Sequence, residues 1–157
     1  MRKSQITRIP QNAPLREQVW MDVDRIASVE VSSEESEYPI ESALLLKGTG
    51  GWRAANSGTQ TIRLLFDEPQ KVRRIVLVFE DTENSRTQEF VLRWSPDIQY
   101  SSREIVRQQW NFSPPDSVRE TEDYVVELSE VKVLELVIVP EKSGGEVRAS
   151  LVSLRLA

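Results

Sequence analysis

Twenty-five carboxylates, twenty lysine or arginine cations and not one histidine or cysteine set the chemistry open to this sequence of 157 residues. Without imidazole or thiol there is no Ser-His or Cys-His nucleophile, Cys/His zinc finger or disulfide framework, and haem ligation is disfavoured. Carboxylate pairs remain, and glycoside hydrolysis uses two of them, one desolvated to act as an acid. The acidic residues instead gather in runs such as Ser33-Glu34-Glu35-Ser36-Glu37 and Glu80-Asp81-Thr82-Glu83, which read as solvated loop tips. Gly48-Thr49-Gly50-Gly51 lacks the Lys-Ser/Thr ending of a phosphate cradle and follows a helical stretch rather than a strand. The sequence therefore reads as recognition without catalysis.

The charge also narrows the partners. The formal net charge is −5, the wrong sign for sequence-independent nucleic-acid binding, which needs several cations on one surface. Arg73 and Arg74 are neighbours, so on a strand they point to opposite faces. Arg103 and Arg107 read as flanking a bend, and most of these arginines are expected to solvate β-faces or pair with Glu. The longest uninterrupted apolar run, Ile75 to Phe79, is far too short to span a bilayer. No apolar stretch follows the basic start Met1-Arg2-Lys3, so no secretory signal is read and a cytoplasmic address is expected. Gln109-Trp110-Asn111-Phe112-Ser113-Pro114-Pro115 sets two rings beside a rigid proline turn, which suits an anchored loop better than a binding face.

Any functional side chains must be positioned by strands. Period-two alternation puts Ala27, Val29 and Val31 on one face, and Ile62, Leu64 and Phe66 on another. Phe90–Trp94, Tyr124–Leu128 and Leu151–Leu156 repeat the pattern. Residues 75–79 are apolar on both faces, as a central strand would be, and Val133–Val139 is interrupted only by Glu135. Turn-formers separate these runs at Asp67-Glu68-Pro69, Glu83-Asn84-Ser85, Ser95-Pro96-Asp97, Ser113–Asp116 and Ser143-Gly144-Gly145. One short helix is expected at residues 39–46, opened by Pro39 and stopped near Gly48. With apolar residues at 39% and Gly plus Pro at 14, the chain reads as one all-β antiparallel sandwich over 25–157, with a barrel as its competitor, preceded by a polar arm or leading strand over 1–24.

The order of these pieces resembles the discoidin, or coagulation-factor type C, domains of the galactose-binding-like jelly rolls. The resemblance rests on a first strand at Ile26–Val31, Tyr38-Pro39 opening a short helix, a glycine turn before Trp52-Arg53-Ala54, and Thr61-Ile62-Arg63-Leu64. It continues through Phe90–Trp94 running into Ser95-Pro96-Asp97 and a close at Ala149–Leu154. The stretch from Leu45 to Ile62, with Trp52-Arg53-Ala54-Ala55-Asn56-Ser57-Gly58-Thr59-Gln60, is also similar to the N-terminal domains of single-strand-break DNA repair scaffolds. The family implies a jelly roll. It also implies a calcium loop after the helix, but Leu46-Lys47-Gly48-Thr49 puts a cation where the usual Asp would stand, so no cofactor is expected.

The resemblance further implies ligand contact through loops at one end of the sandwich, here Ser32–Tyr38, Lys47–Arg53 and Glu80–Thr87. Their polar, acidic tips disfavour a membrane. Glycan binding pairs an aromatic plate with hydrogen-bonding groups, and Tyr38 and Trp52 are the candidate plates, with Glu35, Arg53, Asn84 and Arg86 as polar partners. Trp52 also reads as core, since it opens a strand after a glycine turn. The expected function is non-catalytic carbohydrate binding; the alternative is an intracellular protein-docking or scaffold module, with nucleic acid as an unlikely partner.

Overall fold

A computed structural model describes residues 19–99 and 102–157, so the expected arm lies outside the described residues up to position 18. The elements run α1 (Val23–Ile26), β1 (Ala27–Val31), α2 (Glu41–Leu44), β2 (Trp52–Ser57), β3 (Gln60–Glu80), β4 (Arg86–Ser95), β5 (Arg103–Phe112), β6 (Arg119–Val139), β7 (Arg148–Leu151) and β8 (Ser153–Leu156). Neither helix is long or apolar enough to cross a membrane.

Two long strands shape the molecule. The first half of β3 pairs with β1 and with the second half of β6, for instance Leu64 opposite Val29 and Leu134. Its second half pairs with the first half of β6 and with β8, as at Leu77 opposite Glu122 and Leu154. The shared register is interrupted between Leu65 and Arg74, where residues 67–69 are exposed. There both strands pass from one layer to the other. β4 and β5 extend the first layer beyond the second half of β6. β2 pairs with β7, and the Val152 N–H donates to the Val78 carbonyl where β7 leads into β8. Among the described residues the path β1-β3-β6-β4-β5 ends on two unjoined strands. The fold is therefore an antiparallel β-sandwich jelly roll, not a closed barrel.

The alternating residues named in the sequence fill the space between the layers. Ile62, Leu64, Phe66, Ile75, Leu77, Phe79, Phe90 and Leu92 are buried in one cluster with Trp52. Phe79 stacks on Phe90 at 5.2 Å between ring centroids, and Tyr124 meets Phe90 edge-on at 6.5 Å. On the outer face, Glu30, Arg63, Glu135, Arg93 and Glu104 stand opposite one another in register across five strands. Arg63 bonds Glu30 at 2.9 Å and Glu135 at 2.8 and 3.0 Å, while Arg93 reaches Glu135 at 4.0 Å.

Three expectations are corrected. Asp67-Glu68-Pro69 does not end a strand; it is the bend within β3, and Pro69 is tolerated where the ladder is already broken. Arg103 and Arg107 do not flank a bend but share β5, which continues to Phe112 and absorbs much of the expected aromatic loop. A second short helix, α1, precedes β1, and α2 covers only four residues of the expected helix.

Two glycines before β2 separate conformation from space. Gly50 and Gly51 have φ of 87° and 71°. A Cβ on Gly50 would meet nothing within 4 Å, whereas one on Gly51 would lie 2.6 Å from the Leu151 carbonyl oxygen, across the β2–β7 pair. In urea unfolding, Gly50→Ala is expected to cost about 1 kcal/mol for the left-handed backbone alone. Gly51→Ala is expected to cost about 3 kcal/mol, because the pairing strand must also move.

Candidate functional site

The loop before α2, the start of β2 and the turn between β3 and β4 meet at one end of the sandwich. They enclose an open, polar cavity of about 640 Å³ with the segment leading into β7. Glu35 and Arg53 form one wall, Glu80–Asn84 and Arg86 a second, and Glu146–Arg148 with Ser150 a third. A smaller recess of about 120 Å³ adjoins it, lined by Tyr38, Trp52, Arg53 and Glu80 among others.

Backbone bonds stitch the first wall. Glu35 N–H donates to Arg53 O at 2.8 Å, Arg53 N–H to Tyr38 O at 3.1 Å and Tyr38 N–H to Glu35 O at 2.9 Å. Trp52 Nε1 donates to the Ser33 carbonyl at 3.0 Å, anchoring the loop to the core. The Arg53 guanidinium lies 4.5 Å from the centre of the half-buried Tyr38 ring, a cation–π arrangement that fixes both side chains. Arg148 Nη1 bonds Glu35 Oε1 at 2.7 Å and joins the third wall to the first.

The second wall is organised by Asp81. Its Oδ1 accepts the N–H groups of Glu83 and Asn84, both at 2.9 Å. Its Oδ2 accepts Arg86 Nε at 2.6 Å and Asn84 Nδ2 at 3.4 Å. Burial alone would raise the Asp81 carboxyl, but the Arg86 bond and the two N–H groups outweigh it and hold the group below its ordinary value. Arg86 in turn donates to Pro140 O at 2.7 Å and Gln88 Oε1 at 3.1 Å, and lies 4.6 Å from the Phe112 ring centre.

Four of the six expected residues, Glu35, Arg53, Asn84 and Arg86, thus line one cavity, and Tyr38 and Trp52 line the recess beside it. Two roles change. The Trp52 ring is only 1% exposed and packs in the core, so it offers no plate to a ligand. Arg86 is 5% exposed with Nε and Nη1 engaged inside the protein, so it supports the loop rather than reaching outward. Missed were Asp81, Glu146 and Arg148. Asp-Thr-Glu-Asn does carry an Asx-turn signal that points to Asp81. Glu146 and Arg148 follow a glycine turn like many others, and no local pattern ties them to Glu35.

The other arginines are largely engaged. Arg74 chelates Asp123 at 2.6 and 2.9 Å, and Arg107 bonds Glu89 and Glu104. Among the described residues no group of three acidic side chains is placed to hold a metal ion. The turn after α2 presents Lys47, and its Gly48 N–H donates to Leu45 O.

No protein-family model matches the sequence, and no curated protein matches it. Solved structures do, at the level of fold, and several of them are family 32 carbohydrate-binding modules. A family 32 carbohydrate-binding module of NanJ from Clostridium perfringens, in complex with galactose, is 14% identical with a TM-score of 0.60; the match covers 87% of this chain and 96% of that one. The family 32 module of AlyQ, in complex with 4,5-unsaturated mannuronic acid, is 17% identical with a TM-score of 0.62, covering 89% and 98%. A Ruminococcus gnavus GH29 fucosidase mutant in complex with fucose superposes with a TM-score of 0.66 at 10% identity, but the match covers 87% of this chain and only 26% of the fucosidase.

Because Arg86 is buried, removing its partner leaves a cation without compensation. Asp81→Ala is expected to cost about 3 kcal/mol in denaturant unfolding at neutral pH. The native Asp81 carboxyl titrates below its unfolded value, so its contribution is present above the ordinary Asp range and fades as pH falls through it. The gap between wild type and variant should therefore narrow in acid.

Proposed function

We propose that this chain is a non-catalytic carbohydrate-binding module that takes a sugar residue in the loop-end cavity beside Tyr38 and Arg53. The carrying observation is the state of Arg53. Of the guanidinium groups lining the cavity, Arg86 is bound to Asp81 and Arg148 to Glu35. Arg53 has no carboxylate partner among the described residues and is held against the Tyr38 ring. It presents fixed donors, while exposed Glu83 and Glu146, also outside any ion pair among the described residues, offer acceptors around the same cavity. A sugar hydroxyl is both donor and acceptor, so neighbouring hydroxyls can bridge such groups. The sugar ligands of the structural neighbours, galactose among them, support the same reading.

The site is shallow and polar, so affinity for one sugar unit should be low. Roughly −0.3 to −0.4 kcal/mol per heavy atom over about a dozen atoms gives about −4 kcal/mol, a Kd near ~1 mM. Amide chemical-shift titration with galactose, N-acetylgalactosamine and a wider panel is expected to move the signals of Glu35, Arg53 and residues 82–84. Arg53→Ala is expected to weaken binding about tenfold, since a charge-assisted hydrogen bond is worth about 1.5 kcal/mol or more. Tyr38→Ala should do the same by releasing Arg53. Silence of those amides across the panel at millimolar concentrations would overturn the assignment.

A further inference from the structure

Behind the wall formed by Asp81 and Arg86, a row of buried polar side chains crosses from β4 to β6. Gln88, fully buried, accepts from Arg86 through Oε1 and donates through Nε2 to Glu120 Oε1 at 3.2 Å. Glu120 stands opposite Phe79, one residue pair below the Glu80–Arg119 pair at the cavity rim. Its side chain is sealed from solvent, at 0% exposure, and among the described residues its Oε2 meets no donor. Beside it lies Glu122, itself an acceptor, whose Oε2 takes the Tyr124 hydroxyl at 3.1 Å. Among the described residues neither carboxyl group forms an ion pair, and two such groups side by side are satisfied when one carries a proton, which also supplies a donor for Oε2.

We propose that Glu120 is a positioning residue of the cavity, held as a neutral acid, and that its ionisation draws Arg86 away from Asp81 and loosens the loop at residues 81–84. Arg86 is the cation of this row, reached through Gln88. A carboxylate with no water around it competes for that guanidinium far more strongly than a surface charge would. The bond Arg86 gives up, from Nε to Asp81 Oδ2, holds the carboxylate whose Oδ1 accepts the Asn84 N–H.

The surrounding charges fix the direction. Burial first, and then Glu122, push the Glu120 carboxyl up to about 8, against the opposing pull of Gln88 and Arg86. Tyr124 is raised by burial and by Glu122 and stays a neutral donor. Glu141, whose carboxyl also feels Arg86, is lowered chiefly by the Ser143 N–H and stays ionised. The native state thus holds a proton that the unfolded chain releases in the ordinary carboxyl range. The ordered loop is complete at neutral pH and is lost as pH rises through about 8.

The test uses the ligand-free protein, so it stands or fails separately from sugar binding. The Arg86 Nε–H resonance and the exchange protection of the Glu83 and Asn84 amides are followed from neutral to alkaline pH, with exchange corrected for its intrinsic rate. In wild type the Arg86 signal is expected to titrate with a midpoint near about 8, and the two amides to lose about tenfold protection. Glu120→Gln keeps the acceptor for Gln88 and adds a donor toward Glu122, so both readouts should stay flat. A flat wild type, or a Gln variant that titrates like it, overturns the proposal. Should Glu120→Gln fail to fold, Glu122→Gln serves instead: removing the neighbouring charge should move the midpoint downward, and an unmoved midpoint is the negative result.

Discussion

The pairing of β3 with β6 is the constraint from which the rest of the fold follows. Each strand is 21 residues long, and they remain partners on both sides of a shared break in register. Bending together lets one ribbon supply the middle of both layers, with β1 and β4 completing one and β8 the other. The inward faces then meet without a separate connection between sheets. Burying them supplies the main stabilisation at roughly 25 cal/mol per Å² of apolar area, and the stacked Phe79 and Phe90 lie where the two layers face each other.

The loop-end cavity depends on the same ribbon. β3 stops at Glu80, and the Asp81 N–H bonds the Val118 carbonyl just before β6 begins. The turn that follows is shaped by Asp81 and tied to the start of β4 by Arg86, whose bond to Pro140 reaches the far end of β6. The rim is therefore less mobile than its exposed, acidic composition suggests. Its one cation without a carboxylate, among the described residues, is braced by an aromatic ring instead. This combination of fixed scaffold and exposed polar edge is what recognition of a hydroxyl-rich ligand requires.

Much of the sandwich was legible in the sequence because a half-buried strand writes its burial in alternate residues. Ile62, Leu64 and Phe66 point inward as that period demands. β5 was not legible: Arg103–Phe112 is an edge strand whose residues are mostly exposed or half-exposed, so neither face carries a continuous apolar stripe. Pro69 read as a terminator because proline breaks a ladder, and sequence cannot show that the ladder is already broken there. For the cavity, the order of loops placed four polar side chains together, but not their roles. Whether Arg86 faces outward is decided by Pro140, 54 residues away, and Arg148 joins Glu35 across 113 residues. Such partnerships exist only once the layers are stacked.

The row of alternating charges on the outer sheet has a meaning beyond its small energy. Exposed ion pairs contribute only about 0 to 1 kcal/mol each. Yet Glu30, Arg63, Glu135, Arg93 and Glu104 each face the opposite sign on the adjoining strand. Slide any one strand by a single position and its arginine or glutamate turns inward among leucines, while its apolar neighbours turn out to water. The row acts as a checksum on strand alignment, cheap in the correct fold and costly in each misthreaded one.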